Sequence, residues 1–159
     1  MSANPQPYLV GQKQKHAEPK ISWTPRDRIA PGNYPAFSHR AKIYRDPMFK
    51  RWSCAVAFSI TDDSLTQTIA RLAWFLNLGR GETPHAGRRS KFWAAYCLAN
   101  GGHPPTRADR SLSPRIFERR QCTVEVRDVD RDFSGLTASG ESSYSVVTRV
   151  ISWNTGGQE

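Results

Sequence analysis

The most constraining feature of the chain is residues 51–60, RWSCAVAFSI, in which large apolar side chains alternate with small or charged ones. The apolar positions are Trp52, Cys54, Val56, Phe58 and Ile60. A period of two is typical of a β-strand that packs one face on a core. The run therefore predicts a half-buried strand and favours a fold built mainly from β-sheet.

Four further strands and one helix are predicted along the chain. The strands span residues 33–45, 66–78, 116–129 and 144–153, and the helix spans 87–100. In the third strand Leu72, Trp74 and Leu76 should face the core, since Arg71 cannot easily be buried. The helix carries an apolar stripe at positions i, i+3, i+4 and i+7, formed by Phe92, Ala95, Tyr96 and Ala99.

Three strands, a helix and two more strands is the element order of the OB-fold, a five-stranded Greek-key barrel with one helix between strands 3 and 4. Other small mixed β domains share this order. We predict an OB-like barrel over 31–153, after a flexible basic arm (1–30) and before a short polar tail (154–159). Widely spaced Cys54, Cys97 and Cys122 predict free thiols that act as small core residues.

The charge of the chain favours a polyanionic partner. Lys and Arg number 23 against 14 Asp and Glu, for a formal net charge of +9. Neither a run of about 18 apolar residues nor a signal-peptide pattern is present in the sequence. We therefore expect a cytoplasmic protein that does not bind membranes.

Recognisable catalytic patterns are missing from the sequence. The four histidines are scattered, and CxxC, HExxH and GxSxG do not occur. The Gly-rich stretch GRGETPHAGRRS (79–90) lacks the Gly-Lys-Ser/Thr end of a phosphate-binding loop. The chain is therefore predicted to be non-enzymatic, with no cofactor and no metal. A metal-dependent nuclease is a distant third hypothesis.

Cations and aromatic residues are predicted to lie together on the outward face of the first three strands. Proteins that bind single strands combine a positive groove with aromatic rings on which bases stack. Tyr44, Phe49 and Phe75 are the predicted stacking residues. The predicted phosphate contacts are Arg40, Lys42, Lys50, Arg51, Arg71, Arg88, Arg89 and Lys91.

The last three of these cations precede Phe92 in the stretch HAGRRSKFWAAY (85–96), which we place at the start of the helix. Cations in a first helical turn run against the helix macrodipole. A bound polyanion would relieve this conflict, because helix N-terminal amides also favour phosphate. We therefore expect Arg88, Arg89 and Lys91 to contact the phosphate backbone.

The chain resembles small OB-fold single-stranded DNA-binding proteins of phages and mobile elements. The resemblance rests on the PGNY opening (31–34), the strand end WFLNLG (74–79) and the basic helix start RRSKFW (88–93). It covers Pro31 to Trp153 and implies a protein that coats single strands in replication or recombination, without a cofactor. Many such proteins end in an acidic tail, whereas this chain ends in NTGGQE.

The leading hypothesis is thus a single-stranded nucleic-acid-binding protein, with DNA favoured over RNA. Homo-oligomerisation and contacts with replication or recombination proteins stay open at this point. The alternative is a protein-interaction or structural adaptor module of a mobile element, whose charge serves solubility.

Overall fold

A computed structural model describes residues 19–22, 24, 26–107, 111–129 and 143–154. Within these residues it contains five β-strands, one α-helix and a short 3-10 helix. The elements are β1 (Gly32–Asp46), β2 (Arg51–Thr61), β3 (Thr68–Asn77), α1 (Lys91–Ala99), the 3-10 helix (Pro114–Phe117), β4 (Gln121–Val129) and β5 (Tyr144–Trp153). The prediction of a mainly β domain with a helix between strands 3 and 4 is confirmed.

All five strands belong to one antiparallel sheet with the order β3-β2-β1-β4-β5. The first three strands form a meander, and β4 returns to lie beside β1. Three consecutive strands with the fourth beside the first is the Greek-key arrangement. The β4 ladder on β1 ends at Phe37, so residues 42–46 of β1 pair with β2 alone and form a protruding hairpin with it.

The sheet is not closed, so the barrel of the sequence prediction is not shown. Its edge strands β3 and β5 lie next to each other, but Asp27 makes hydrogen bonds to both of them. The backbone N–H of Arg71 in β3 donates to the Asp27 carboxylate at 2.8 Å. The backbone N–H of Ser145 in β5 donates to the Asp27 carbonyl at 3.1 Å. Asp27 therefore binds backbone donors of both edges.

The chain segment before β1 is fixed to β5 and β4 by further contacts. The N–H of Ile29 donates to the hydroxyl of Ser145 at 2.9 Å, and that hydroxyl donates to the Ile29 carbonyl at 3.1 Å. Arg28 forms an ion pair with Asp128 at 3.1 Å. The rest of the predicted arm, up to residue 18, and the tail from residue 155 lie outside the described residues.

The core occupies the sheet face that the alternation predicts. Cys54, Val56, Phe58 and Ile60 of β2 are buried, as are Leu72, Trp74 and Leu76 of β3, while Trp52 is half-buried. Phe117 is fully buried at the centre, where its ring contacts Trp74, Phe92 and Trp153 at centroid distances of 5.6, 5.6 and 6.0 Å. This cluster joins β3, α1 and β5 beneath the sheet.

Two predicted boundaries are wrong for local reasons. The helix begins at Lys91 rather than at residue 87, because the Ser90 hydroxyl accepts from the Trp93 N–H at 3.1 Å and caps the helix. Strand 4 begins at Gln121 rather than at 116. Pro114 starts a 3-10 helix capped by Ser113, and Arg119 has a positive φ of 55° that interrupts extended backbone.

Candidate nucleic-acid interface

The register of the sheet places several of the predicted contact residues on its outer face, opposite the core. Lys42 pairs with Ala55, which pairs in turn with Phe75, so these three residues form one row across β1, β2 and β3. Tyr44 and Ser53 lie in the next row. Directly opposed side chains share a face of the sheet. Lys42 and Phe75 are therefore exposed on the same outer surface as Tyr44.

The middle of this surface is shallow because, after Arg51 at its start, β2 contributes only small side chains to it. They are Ser53, Ala55, Ala57 and Ser59. The larger side chains stand on the two flanking strands, with Lys42 and Tyr44 on one side and Arg71 and Phe75 on the other. The result is a groove along β2 with a ring and a cation on each wall.

A β-bulge decides which β1 side chains reach this groove. Ala36 and Ser38 are buried on the core face, and strict alternation from them would turn Lys42 and Tyr44 inward. The register shifts between Ser38 and Ala41, so the residues that follow change face. Arg40 lies within the shifted segment and is exposed.

The turn between β1 and β2 supplies the remaining residues predicted there. Asp46 accepts hydrogen bonds from the N–H groups of Met48 and Phe49 at 2.9 and 3.2 Å and holds the turn. The guanidinium of Arg51 lies over the Phe49 ring, 4.9 Å from its centroid. Phe49 is 39% exposed, and Lys50 beside it is exposed with a φ of 50°. The stacking prediction for Phe49 therefore concerns a ring already occupied on one face by a cation.

The cations of the outer face form no ion pair with a carboxylate in the described part of the chain. The ion pairs found there are Arg28 with Asp128, and Glu125 with both Arg127 and Arg149. Lys42, Arg51 and Arg71 take part in none of them. Free cations of this kind are what phosphate groups require.

A cavity of about 770 Å³ extends the groove towards β5. Arg71 and Phe75 line it from the outer face, together with His39, whose Nε2 lies 2.6 Å from the Ser59 hydroxyl. Its far wall is Tyr144, whose ring carries the guanidinium of Arg26 at 4.7 Å. His39, Tyr144 and Arg26 were not among the residues predicted for the site.

Signals for these three residues were weak in the sequence. His39 lies within the bulge, so its face could not be read from alternation. Tyr144 joins the groove only because β4 and β5 pair in the observed register, with Val129 opposite Tyr144. Arg26 was counted as part of a basic arm without a position.

The cations around the helix start do not join the outer face. Arg88 and Arg89 lie in the loop before α1, because the helix begins at Lys91. Their predicted place in the first helical turn is therefore wrong, and only Lys91 occupies it. Arg88 lines a second cavity together with Ile43, which points away from the groove, since it pairs with the core residue Cys54.

The buried thiols have no chemical role that the structure supports. Burial, together with the charge of Glu118, raises the pKa of Cys54 to about 11, and burial raises that of Cys122 to about 12. A thiol with so high a pKa stays protonated and is a poor nucleophile near neutral pH. Cys54 and Cys122 are core residues as predicted, and Cys97 is half-buried.

A scan against protein-family models finds no match for the chain, and a search of the curated proteins finds none either. In the described part of the chain, no helix has the length and apolar character needed to cross a bilayer. Within the same residues, no group of three or more His, Cys, Asp and Glu side chains is placed to hold a metal ion.

Proposed function

We propose that the protein binds single-stranded nucleic acid, DNA in preference to RNA, along the outer face of β1, β2 and β3. The observation that carries this proposal is the groove along β2, with Lys42 and Tyr44 on one wall and Arg71 and Phe75 on the other. Cations that alternate with exposed rings suit a strand whose phosphates and bases both need contacts.

The shape of the surface also supports a single strand as the ligand. Small side chains on β2 leave room for bases to lie against the sheet, and Phe75 is 45% exposed and free to stack. A base can stack on a protein ring only when the face of the base is accessible. In duplex DNA the bases are stacked on one another, so their faces are covered. The Greek-key order of the strands agrees with the OB-like architecture to which the resemblance points.

The proposal assigns no catalytic step to the protein. Its role would be to cover or organise single strands in the cytoplasm during replication or recombination, as the resemblance implies. Under this proposal the salt-sensitive part of the affinity comes from the outer-face cations. The stacking residues supply a part of the affinity that depends little on base sequence.

The test is fluorescence anisotropy with a labelled oligo-dT of about 30 nucleotides and a duplex of the same length, each titrated at about 50 and 200 mM salt. We expect clear preference for the single strand and a steep loss of affinity at the higher salt concentration. Equal and weak binding to both ligands would overturn the proposal and favour the adaptor alternative.

A further inference from the structure

The second cavity, of about 600 Å³, lies on the other side of the β1–β2 hairpin from the groove. Ile43 forms its wall on the hairpin side, and Leu78, the residue directly after β3, also lines it. Phe92 and Trp93 of the first turn of α1 contribute two aromatic side chains. Its volume is within the range of pockets that hold small ligands.

Two cations line this otherwise largely apolar cavity. Arg88 comes from the loop before α1 and Arg107 from the loop that follows the helix. Both side chains are exposed, and in the described part of the chain neither forms an ion pair. None of the described lining residues is acidic. The cavity thus combines aromatic and aliphatic walls with two cations, which suits a flat apolar group that carries an anion.

The walls of the cavity are held in place by hydrogen bonds. The His85 N–H donates to the Leu78 carbonyl at 2.9 Å, and the Ser90 hydroxyl donates to the Gly87 carbonyl at 2.7 Å. These bonds fix both ends of the loop that carries Arg88. A preformed pocket binds with less ordering cost than a loop that must fold around its ligand.

The cavity is also within reach of a strand that leaves the outer groove. Successive residues of a β-strand point to opposite faces, so Ile43 faces the cavity while Lys42 and Tyr44 face the groove. Since β4 does not pair with this part of β1, the hairpin edge is open between the two sites. A polynucleotide can therefore pass around that edge without leaving the protein surface.

We infer that this cavity binds one nucleotide of the single strand. Its base is separated from the neighbouring bases and lies against Trp93, and its phosphate lies between Arg88 and Arg107. This inference rests on the proposed function, because it places the nucleotide in the same strand that crosses the groove. It gives Arg88 the phosphate contact that the sequence suggested, but in a loop-built pocket rather than through the helix dipole.

The test compares two adjacent arginines. Arg88→Ala changes a lining residue, whereas Arg89→Ala changes a neighbour that is also exposed and lines neither this cavity nor the one beside the groove. Binding of the mononucleotide dAMP to the full-length protein is measured by calorimetry, and binding of the oligo-dT by anisotropy. We expect Arg88→Ala to weaken dAMP binding about fivefold or more and Arg89→Ala to leave it near that of the unmodified protein.

In the oligonucleotide titration, Arg88→Ala should also flatten the dependence of log affinity on log salt by about 0.7, the value for one phosphate contact on a single strand. Equal dAMP affinities of the two variants, or no dAMP binding by the unmodified protein, would overturn the inference. Loss of dAMP affinity with unchanged oligonucleotide binding would contradict the assignment to the strand.

The groove variant Phe75→Ala separates this inference from the proposed function. This substitution should weaken binding of the oligonucleotide and leave binding of dAMP unchanged. If the protein does not prefer the single-stranded oligonucleotide to the duplex, the proposed function fails, even when the dAMP affinities of Arg88→Ala and Arg89→Ala still differ. The cavity then remains a nucleotide site without its connection to the strand.

Discussion

The guanidinium of Arg120 lies over the indole ring of Trp153, 4.7 Å from the ring centroid. From this position it donates to the carbonyl of Ala99, the last residue of α1, at 2.8 Å and to that of Ile116 at 3.1 Å. A cation at a helix C-terminus satisfies carbonyls that have no partner within the helix. Arg120 therefore links α1, the 3-10 helix and β5 and is a structural residue.

Replacing Arg120 should destabilise the fold without affecting nucleic-acid binding directly. We expect Arg120→Ala to lower the free energy of unfolding by about 1.5–3 kcal/mol, since it removes hydrogen bonds from a charged donor and a contact with Trp153. Urea denaturation measures this change. Arg119→Ala is the matched control, because Arg119 is exposed, and it should stay within about 0.5 kcal/mol. Equal losses would contradict the structural role.

Phe75 is the stacking residue whose replacement should be most informative. Loss of one ring that stacks on a base reduces the binding free energy by about 1–3 kcal/mol. Phe75→Ala should therefore weaken oligo-dT binding by roughly five- to 150-fold. Little stability should be lost because the ring is 45% exposed. Leu98→Ala is the control, since Leu98 is 41% exposed on α1 away from the groove. Unchanged affinity of the Phe75 variant would remove β3 from the interface.

Lys42 should contribute a phosphate contact rather than base recognition. Lys42→Gln is expected to weaken binding to all single-stranded sequences alike and to flatten the salt dependence by about 0.7 in slope. Anisotropy titrations at several salt concentrations measure both effects. Arg115→Gln removes an exposed cation from the 3-10 helix and should leave the slope unchanged. A Lys42 variant with the original slope would place the strand elsewhere.

Asp27 should protect the open edges of the sheet. Asp27→Ala removes the carboxylate acceptor of the Arg71 N–H. We expect faster hydrogen exchange at Arg71, and at Ser145 if the chain around Asp27 detaches from β5. Asp63→Ala, which changes an exposed carboxylate in the β2–β3 turn, should leave both amides as protected as before. Unchanged exchange in the Asp27 variant would show that β3 and β5 protect each other.

The buried thiols should make the fold sensitive to alkaline pH. Their ordinary pKa is 9.0, whereas in the folded chain burial raises the pKa to about 11 for Cys54 and about 12 for Cys122. Above pH 9 the unfolded state releases protons that the folded state keeps. The stabilisation is therefore complete below pH 9 and is lost as the pH rises towards 11 and 12.

The measurement is urea denaturation at pH 8 and at about pH 10.5, for the unmodified protein and a Cys54→Ala/Cys122→Ala variant. The variant will start from a lower stability, because each substitution removes a buried side chain. The unmodified protein should nevertheless lose more stability between the two pH values than the variant does. Equal losses would mean that the two thiols do not titrate differently on unfolding.

Alternation predicted the core face of β2 and β3 well, because both strands are regular over most of their length and carry their large apolar side chains on one face. Every residue assigned inward on β3 is buried, and Arg71 and Phe75 are exposed as expected. Local pattern decides the face in such strands, so no knowledge of the partner strand is needed.

Long-range pairing was the part that the sequence could not supply. The bulge in β1 lies where its ladder with β4 has ended and only the pairing with β2 continues, and it leaves no clear local signal. Both cavities are made by segments far apart in the chain, so Tyr144 and Arg107 could not be assigned to them in advance. Their positions depend on the register of the finished sheet.

The placement of β1 between β2 and β4 also affects how the protein is made. The meander of β1, β2 and β3 can pair as soon as those residues leave the ribosome. The outer edge of Gly32–Phe37 has to wait for β4, and Ser38 for a bond to Arg120 that lies 82 residues further along the chain. During that interval an unpaired strand edge is open to other chains. Any factor that shields nascent chains should therefore matter most before the whole of β4 has left the ribosome.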